Sequence, residues 1–224
     1  MATDSQALQR LLAWLSPSFP VGAFTFSHAL EQAIEAKLVC DAASSQAWLV
    51  PLLRHGSGQA DLVFVCAGWR CEHADVQAWS ELALAMAGTQ ELRLEMTAQG
   101  DAFIAAIDAA WPCDASRQLA ALAPGAIAYP VAVGHLAQAH GVELEACVTA
   151  YAHAFVANLV SAIVRALPLG QTDGQRVLAG MEESVSDAVV RAMAADPDAV
   201  TASTPYSDLC SMQHEHQYSR LFRS

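Results

Sequence analysis

Two small groups of side chains in this sequence could bind a metal ion. His214 and His216 lie two positions apart near the end of the chain, and Cys66, Cys71 and His73 lie close together in its first half. A zinc-type site needs ligands that converge at fixed geometry, and neither group has the paired spacing of such a site. Side chains two apart on a helix point to different sides, so the two histidines would chelate only from an extended segment. Both groups are therefore weak candidates, and the simpler interpretation is tail histidines in solvent and thiols in the core.

Local signatures of catalysis are missing from the sequence. It contains no GxSxG element for a nucleophilic serine. Lys37 is the only lysine and belongs to no GxxxxGK[ST] phosphate loop, so a GTP-dependent step would need another protein. Ser27, which precedes His28, is more simply interpreted as a helix N-cap beside a surface histidine.

Composition predicts one globular domain that avoids polyanions. The chain has 224 residues, a hydrophobic fraction of 54% and a net charge of −12, which disfavours nucleic acid and anionic membrane surfaces. The six cysteines form no CxxC pair and the N-terminus lacks a secretory pattern, so we expect reduced thiols in a cytoplasmic protein. Ala146–Val164 runs for 19 residues without a charge, but its polar interruptions and unflanked ends favour a buried core helix over a membrane span.

The apolar residues recur at helical spacing, and no segment shows a convincing alternation of period two. The predicted fold class is all-α, a single-domain bundle of about eight to ten helices over residues 1–195. Residues 196–205 are rich in Asp, Pro, Thr and Ser and are predicted to be a flexible linker. Residues 206–224 then form a C-terminal tail, predicted to be mobile until it docks on a partner.

Several helix limits follow from capping and breaking residues. One helix should begin near Ser27, and another should span Pro130–His140, with Pro at its start and Gly141 just past its end. A last long helix should start at Asp173 as its cap and run to about Ala195.

Apolar side chains also occur where an isolated domain does not require them. Phe24 and Phe26 flank a Pro- and Gly-containing connector, and Leu221 and Phe222 close the tail. Such residues either pack back onto the core of their own chain or dock on a partner protein.

Four segments, taken in order, resemble the UreF family of urease accessory proteins. They are SPSFPVGAFTFSHALE (Ser16–Glu31), YPVAVGHLAQAHG (Tyr129–Gly141), LPLGQTDGQRVLA (Leu167–Ala179) and QYSRLFRS (Gln217–Ser224). Together they sample the chain from one end to the other. The segment Thr89–Phe103 departs from the family pattern, because Asp101 stands near the place where a basic residue is expected.

The resemblance implies an α-helical homodimer that joins a second accessory protein, UreD (also called UreH), and the GTPase UreG. The complex then delivers nickel to apo-urease, and UreF itself holds no cofactor firmly. On this basis we expect partner-binding residues in the connector, at the start of the Leu167–Ala179 segment and in the tail. They are Phe24, Phe26, Gln171, Tyr218, Ser219, Arg220, Leu221, Phe222 and Arg223.

Two other classes of function remain open at this point. A helical small-ligand enzyme would use a polar pocket lined by His135, His140 or His153. A stand-alone nickel-binding chaperone would hold the metal through the histidines of its tail. The accessory-protein interpretation predicts that the isolated chain has neither urease nor GTPase activity.

Overall fold

The computed structural model describes residues 4–224, and every regular element in that range is helical. The all-α prediction is confirmed. The helices are α1 (Ser5–Trp14), α2 (Leu30–Glu35), α3 (Ala42–His55), α4 (Ser57–Arg70), α5 (Val76–Ala85), α6 (Gln90–Ala110), α7 (Asp114–Ala120), α8 (Tyr129–Ala139), α9 (Leu144–Ala166), α10 (Gln171–Ala179), α11 (Glu182–Ala194) and α12 (Pro205–His214).

The number of helices exceeds the expected eight to ten because short helices were not separated by periodicity. The predicted last long helix is wrong as one element, since α10 ends at Ala179 and α11 begins at Glu182. Asp173 is not the N-cap of this segment either. It lies inside the first turn of α10, where its carboxylate accepts a hydrogen bond of 3.3 Å from the Gly170 backbone N–H.

The centre of the fold is the contact between α4 and α8, whose backbones approach closely. Both helices are buried almost all round, from Ala60 to Gly68 and from Pro130 to Ala137. Gly134 makes the approach possible, because a Cβ there would overlap the Val65 carbonyl oxygen and lie 2.8 Å from the Trp69 backbone nitrogen. Gly68 makes the reciprocal contact with the backbone of Val131. A glycine on each helix thus sets how closely α4 and α8 can pack.

The long apolar helix α9 packs beside this centre, against α4, α10 and α11. Within the described residues it is the one helix long and apolar enough to cross a bilayer. Half of its most apolar 18-residue stretch is buried inside the domain. The burial supports the prediction of a core helix.

The chain beyond α11 runs back over the domain. Residues 196–205 contain one short turn of 3₁₀ helix at Pro197–Ala199, and the Ser203 backbone N–H donates to the His55 carbonyl at 2.6 Å. Helix α12 then packs on α2 and α6. The flexibility of the linker stays a prediction, whereas the tail is seen folded against its own chain.

We predict that Gly134→Ala destabilises the fold by about 1–3 kcal/mol or more, because the added methyl group must push α4 and α8 apart. Urea unfolding followed by circular dichroism measures this effect. Gly88→Ala is the matched control, because a Cβ there meets only the Asp208 side chain at 3.4 Å. Equal midpoints for the two variants would show that the α4–α8 approach is not limited by the glycine.

Candidate functional site

The C-terminal tail is held in place by carboxylates of the helical body, of which Glu91 is buried and the others are partly exposed. His214, the last residue of α12, is fully buried, and both of its ring nitrogens face glutamates. Nδ1 lies 2.8 Å from Glu91 on α6, and Nε2 lies 3.1 Å from Glu31 on α2. Carboxylates only accept hydrogen bonds, so the ring satisfies both partners when it carries both protons. One side chain thereby ties α12 to two helices.

The residues after α12 use the same two glutamates. Arg220 donates to Glu91 at 2.9 Å. The backbone N–H groups of Leu221 and Phe222 donate to the Glu31 carboxylate at 2.7 and 2.9 Å. Charge-assisted hydrogen bonds of this kind are among the stronger ones in proteins. The Glu31 carboxylate therefore holds the tail backbone in place at Leu221 and Phe222.

The end of the tail is joined to the connector near the N-terminus. Ser27 donates to the Ser224 carbonyl from its backbone N–H, at 2.9 Å, and from its hydroxyl. The Ser224 hydroxyl donates to Glu95 at 2.8 Å, and the Arg223 backbone N–H donates to the Thr25 carbonyl at 2.7 Å. We call the group formed by Thr25, Ser27, Glu31, Glu91 and Glu95 the tail seat.

Aromatic rings and arginines complete the junction of connector and tail. The guanidinium of Arg165 on α9 lies 4.7 Å from the centre of the Phe222 ring, and Arg223 lies 5.2 Å from that of Phe26. Arg165 also donates to the Phe24 carbonyl at 2.6 Å. Cation–π contacts of this type favour a fixed arrangement of the two segments.

The structure divides the predicted partner-binding residues into two groups. Phe26 and Phe222 are 1% and 4% exposed and pack in the core, so they anchor the connector and the tail. Phe24 and Leu221 are 63% and 66% exposed. The remaining predicted positions are also exposed: Gln171 at the start of α10, Tyr218, Ser219, Arg220 and Arg223. Contact of any of them with a partner stays a prediction.

A cavity of about 270 Å³ adjoins the tail seat, with Phe24, Glu95 and Asp208 among its lining residues. His28 lies on its wall and is buried, so the expected surface histidine is wrong. The chain turns through the left-handed region at His28 and Ala29 (φ 56° and 68°), and this turn directs the imidazole inward. His28 Nε2 lies 2.6 Å from the Ser57 hydroxyl.

This turn also displaces the start of the second helix. Helix α2 begins at Leu30, three residues after the expected cap. Ser27 still contributes to the helix, since its hydroxyl accepts a hydrogen bond of 3.2 Å from the Glu31 backbone N–H.

Burial shifts the pKa values of two linked groups at the cavity. Removal from water raises the pKa of the Asp61 carboxyl to about 7, although His28 and a 3.0 Å hydrogen bond from the Tyr151 hydroxyl act in the opposite direction. Burial lowers the pKa of His28, but the Glu95 carboxylate, 3.4 Å from Nδ1, and the other nearby acids raise it above its usual value. The Asp61 carboxyl therefore has its pKa near neutral pH.

The other candidate groups are dispersed by the fold. His153 is exposed and lines this cavity, His135 lines a separate pocket, and His140 packs against Trp14. In residues 4–224 no three His, Cys, Asp or Glu side chains are placed to hold a metal ion. His214 is occupied by two carboxylates and His216 is exposed. Cys66 is buried in α4, away from the pocket that Cys71 and His73 share.

Comparison with known proteins identifies the family. The family model for UreF matches residues 39–182. A urease accessory protein UreF of Methylorubrum populi is 48% identical over 219 residues, which cover 96% of this chain and 98% of that protein. The chain belongs to the UreF family of urease accessory proteins. Proteins of the same name from Rhodopseudomonas palustris (strain BisB5) and Bradyrhizobium diazoefficiens are 47% and 42% identical. Each alignment is 227 residues long with its gaps and covers all of this chain.

The tail seat of this UreF-family chain was not predicted from its sequence. Glu31 ends the Ser16–Glu31 motif and Glu91 and Glu95 lie within Thr89–Phe103, but their spacing does not indicate that they bind the tail. The connector and the tail, in contrast, were singled out by their motifs. Asp101, where the sequence departs from the family pattern, accepts hydrogen bonds from the Gly125 backbone N–H at 2.8 and 2.9 Å.

We predict that Asp61→Asn reduces the pH dependence of stability. Between pH of about 4 and 7 the folded chain retains a proton on Asp61 that the unfolded chain has released, so wild-type stability falls as pH rises through this window. Relative to wild type, the variant should gain about 3 kcal/mol in free energy of unfolding from pH 4.5 to pH 8. Urea unfolding at both pH values measures the gain. Asp198→Asn, at an exposed aspartate, is the control and should show no such gain.

We also predict that Glu91→Ala loosens the tail. It removes the acceptor for both His214 and Arg220. Loss of charge-assisted hydrogen bonds of about 1.5–3 kcal/mol should raise the rate of tryptic cleavage after Arg220 about tenfold or more, without loss of helix content. Mass spectrometry of timed digests measures the rate. Glu183→Ala on the surface of α11 serves as the control, and equal cleavage rates in the two variants would argue against the seat.

Proposed function

We propose that this chain acts in urease maturation by binding other proteins and not by catalysis. It assembles in the cytoplasm, as a homodimer, with a UreD/UreH-type accessory protein and a UreG-type GTPase. The complex delivers nickel, as cargo, to apo-urease. Family membership supports the urease role, and the missing phosphate loop in the sequence supports a partner as the source of GTP hydrolysis.

The observation that carries this proposal is the meeting of two family-like segments on one face. The connector within Ser16–Glu31 and the tail within Gln217–Ser224 are joined by hydrogen bonds and by stacked arginines. Together they present a fixed surface, and a fixed surface lowers the entropy cost of binding a partner.

The exposed side chains of this junction have the chemistry of a protein-binding surface. Phe24, Tyr218 and Leu221 are exposed, and α12 presents a further row of apolar residues, Tyr206, Leu209 and Met212, at a spacing of three. Arg165, Arg220 and Arg223 lie in the same area of a chain whose net charge is −12. Tyrosine and arginine are among the residues enriched in the energetically important parts of interfaces. We assign this surface to the UreD/UreH-type partner.

The mechanism we propose for the complex is a difference in affinity. If the assembled UreF-type protein binds one nucleotide state of the GTPase more tightly than the other, GTP hydrolysis changes the stability of the whole complex. Nickel transfer then follows the nucleotide state without any chemical step on this chain.

We predict that Phe24→Ala and Leu221→Ala each weaken binding to the purified UreD/UreH-type protein by about tenfold, because each removes an exposed apolar anchor. Isothermal titration calorimetry measures the affinity, and gel filtration with the UreG-type protein measures recruitment of the GTPase. Val190→Ala is the matched control, because Val190 is an equally exposed apolar residue on α11.

Arg220→Ala and Gln171→Ala extend the same experiment. If Arg220→Ala loses assembly while Phe24→Ala and Leu221→Ala keep it, the loss is assigned to a loosened tail. The reason is that Arg220 pairs with Glu91 within the same chain. Gln171→Ala tests the position on α10. Undiminished binding by Phe24→Ala and Leu221→Ala, or by a chain that lacks residues 217–224, would refute the docking surface.

A further inference from the structure

A second pocket lies at the far end of α4 and shares no lining residue with the cavity near the tail seat. It encloses about 400 Å³ and is open to solvent. The segment that follows α4 forms one wall, and α8 forms another. Its titratable lining residues are Arg70, Cys71, Glu72, His73 and His135.

Two imidazoles in this pocket approach each other through their nitrogens. His73 Nδ1 lies 3.2 Å from His135 Nε2, with the ring planes at 40°. Two nitrogens bound to one metal ion at about 2.0–2.1 Å, with an angle of about 90–110°, are separated by about 2.9–3.4 Å. The pair therefore already has the spacing of two adjacent ligands of one ion.

The surroundings of the pair favour the form that binds metals. An imidazole binds a metal ion in its neutral form, through the ring nitrogen that carries no proton. His135 is buried, its Nδ1 is withdrawn from solvent, and the backbone of Gly68 lies near the ring. A proton on this Nδ1 leaves the Nε2 lone pair directed at His73.

His73 is exposed, so its ring can exchange tautomers with water. In the metal-free pair, its Nδ1–H can donate to His135 Nε2. An entering ion takes the Nδ1 lone pair after the proton has moved to Nε2 of the same ring, so the two imidazoles release no net proton. Water fills the remaining coordination positions, because the pocket is open on this side.

Cys71 is a poor third ligand at rest. Its Sγ lies 3.3 Å from the Gly68 carbonyl oxygen, to which the thiol donates, so the sulfur is already engaged within the chain. Two neutral imidazoles with water select borderline divalent ions of the first transition series over Mg²⁺ and Ca²⁺, which prefer oxygen ligands.

We propose that His73 and His135 form a binding site for one divalent transition-metal ion of the cobalt, nickel, copper or zinc type. The site lies apart from the tail seat and from the His214 and His216 tail histidines. It does not depend on the proposed role in urease maturation, because the isolated chain is sufficient to bind the ion.

The test uses tag-free protein and Ni²⁺ or Zn²⁺ alone, without partner proteins. Isothermal titration calorimetry should show one equivalent that binds more tightly than any other, and His73→Ala should weaken that binding about tenfold or more, as expected for loss of one of two protein ligands. His73 is exposed, so this variant should keep the wild-type unfolding midpoint. His135→Gln provides a second test from the buried side of the pair.

His216→Ala is the matched control, because it removes an exposed histidine from the tail, and it should leave the tight equivalent unchanged. Cys71→Ser should also retain the affinity within about twofold, since the thiol is not a ligand in this proposal. Unchanged affinity in His73→Ala, or loss of the tight equivalent in His216→Ala or Cys71→Ser, would overturn the assignment.

Discussion

The rest of the structure depends on the direct backbone contact between α4 and α8. A glycine on each helix faces the main chain of the other, and the two helices form the centre of the core. This contact also fixes the position of the cavity beside the tail seat and that of the pocket that contains His73 and His135. The first turns of α4 carry Ser57 and Asp61 to the cavity beside the tail, and the residues just past its other end carry His73 to His135 on α8. A change in the separation of the two helices would therefore alter both regions together.

A second constraint comes from three glutamates that are largely withdrawn from solvent, with Glu91 buried. Buried carboxylates are costly unless donors surround them. Glu31, Glu91 and Glu95 receive these donors from the tail, through an imidazole, a guanidinium, backbone N–H groups and a hydroxyl. The body and the tail are therefore interdependent, because withdrawal of the tail would leave the carboxylates without these donors. If the tail bound to another protein instead, water or a second protein would have to supply the hydrogen-bond donors to these glutamates.

The sequence predicted those features that depend on local pattern. Pro130 and Gly141 bracketed α8, which spans Tyr129–Ala139, and the uncharged run of α9 was correctly expected to be a helix with a buried side. Features that depend on contacts between distant residues were missed. The division of α10 from α11, the inward turn at His28 and the pairing of His73 with His135 leave no periodic signal. The motifs located the connector and the tail, but the positions of Glu31, Glu91 and Glu95 in the sequence do not predict that they bind the tail.

The bond between Ser27 and Ser224 links residues that are 197 positions apart in the sequence. Contacts of such separation close a loop that contains nearly the whole domain, and the entropy cost of closure favours their formation after the local helical contacts. The junction of connector and tail should then be among the last parts of the molecule to assemble. It should also form a small cooperative unit that opens more readily than the α4–α8 centre, since its few contacts can separate without disruption of the core. Docking of the tail would then be the step that completes the surface formed by connector and tail, after the helical core is already in place.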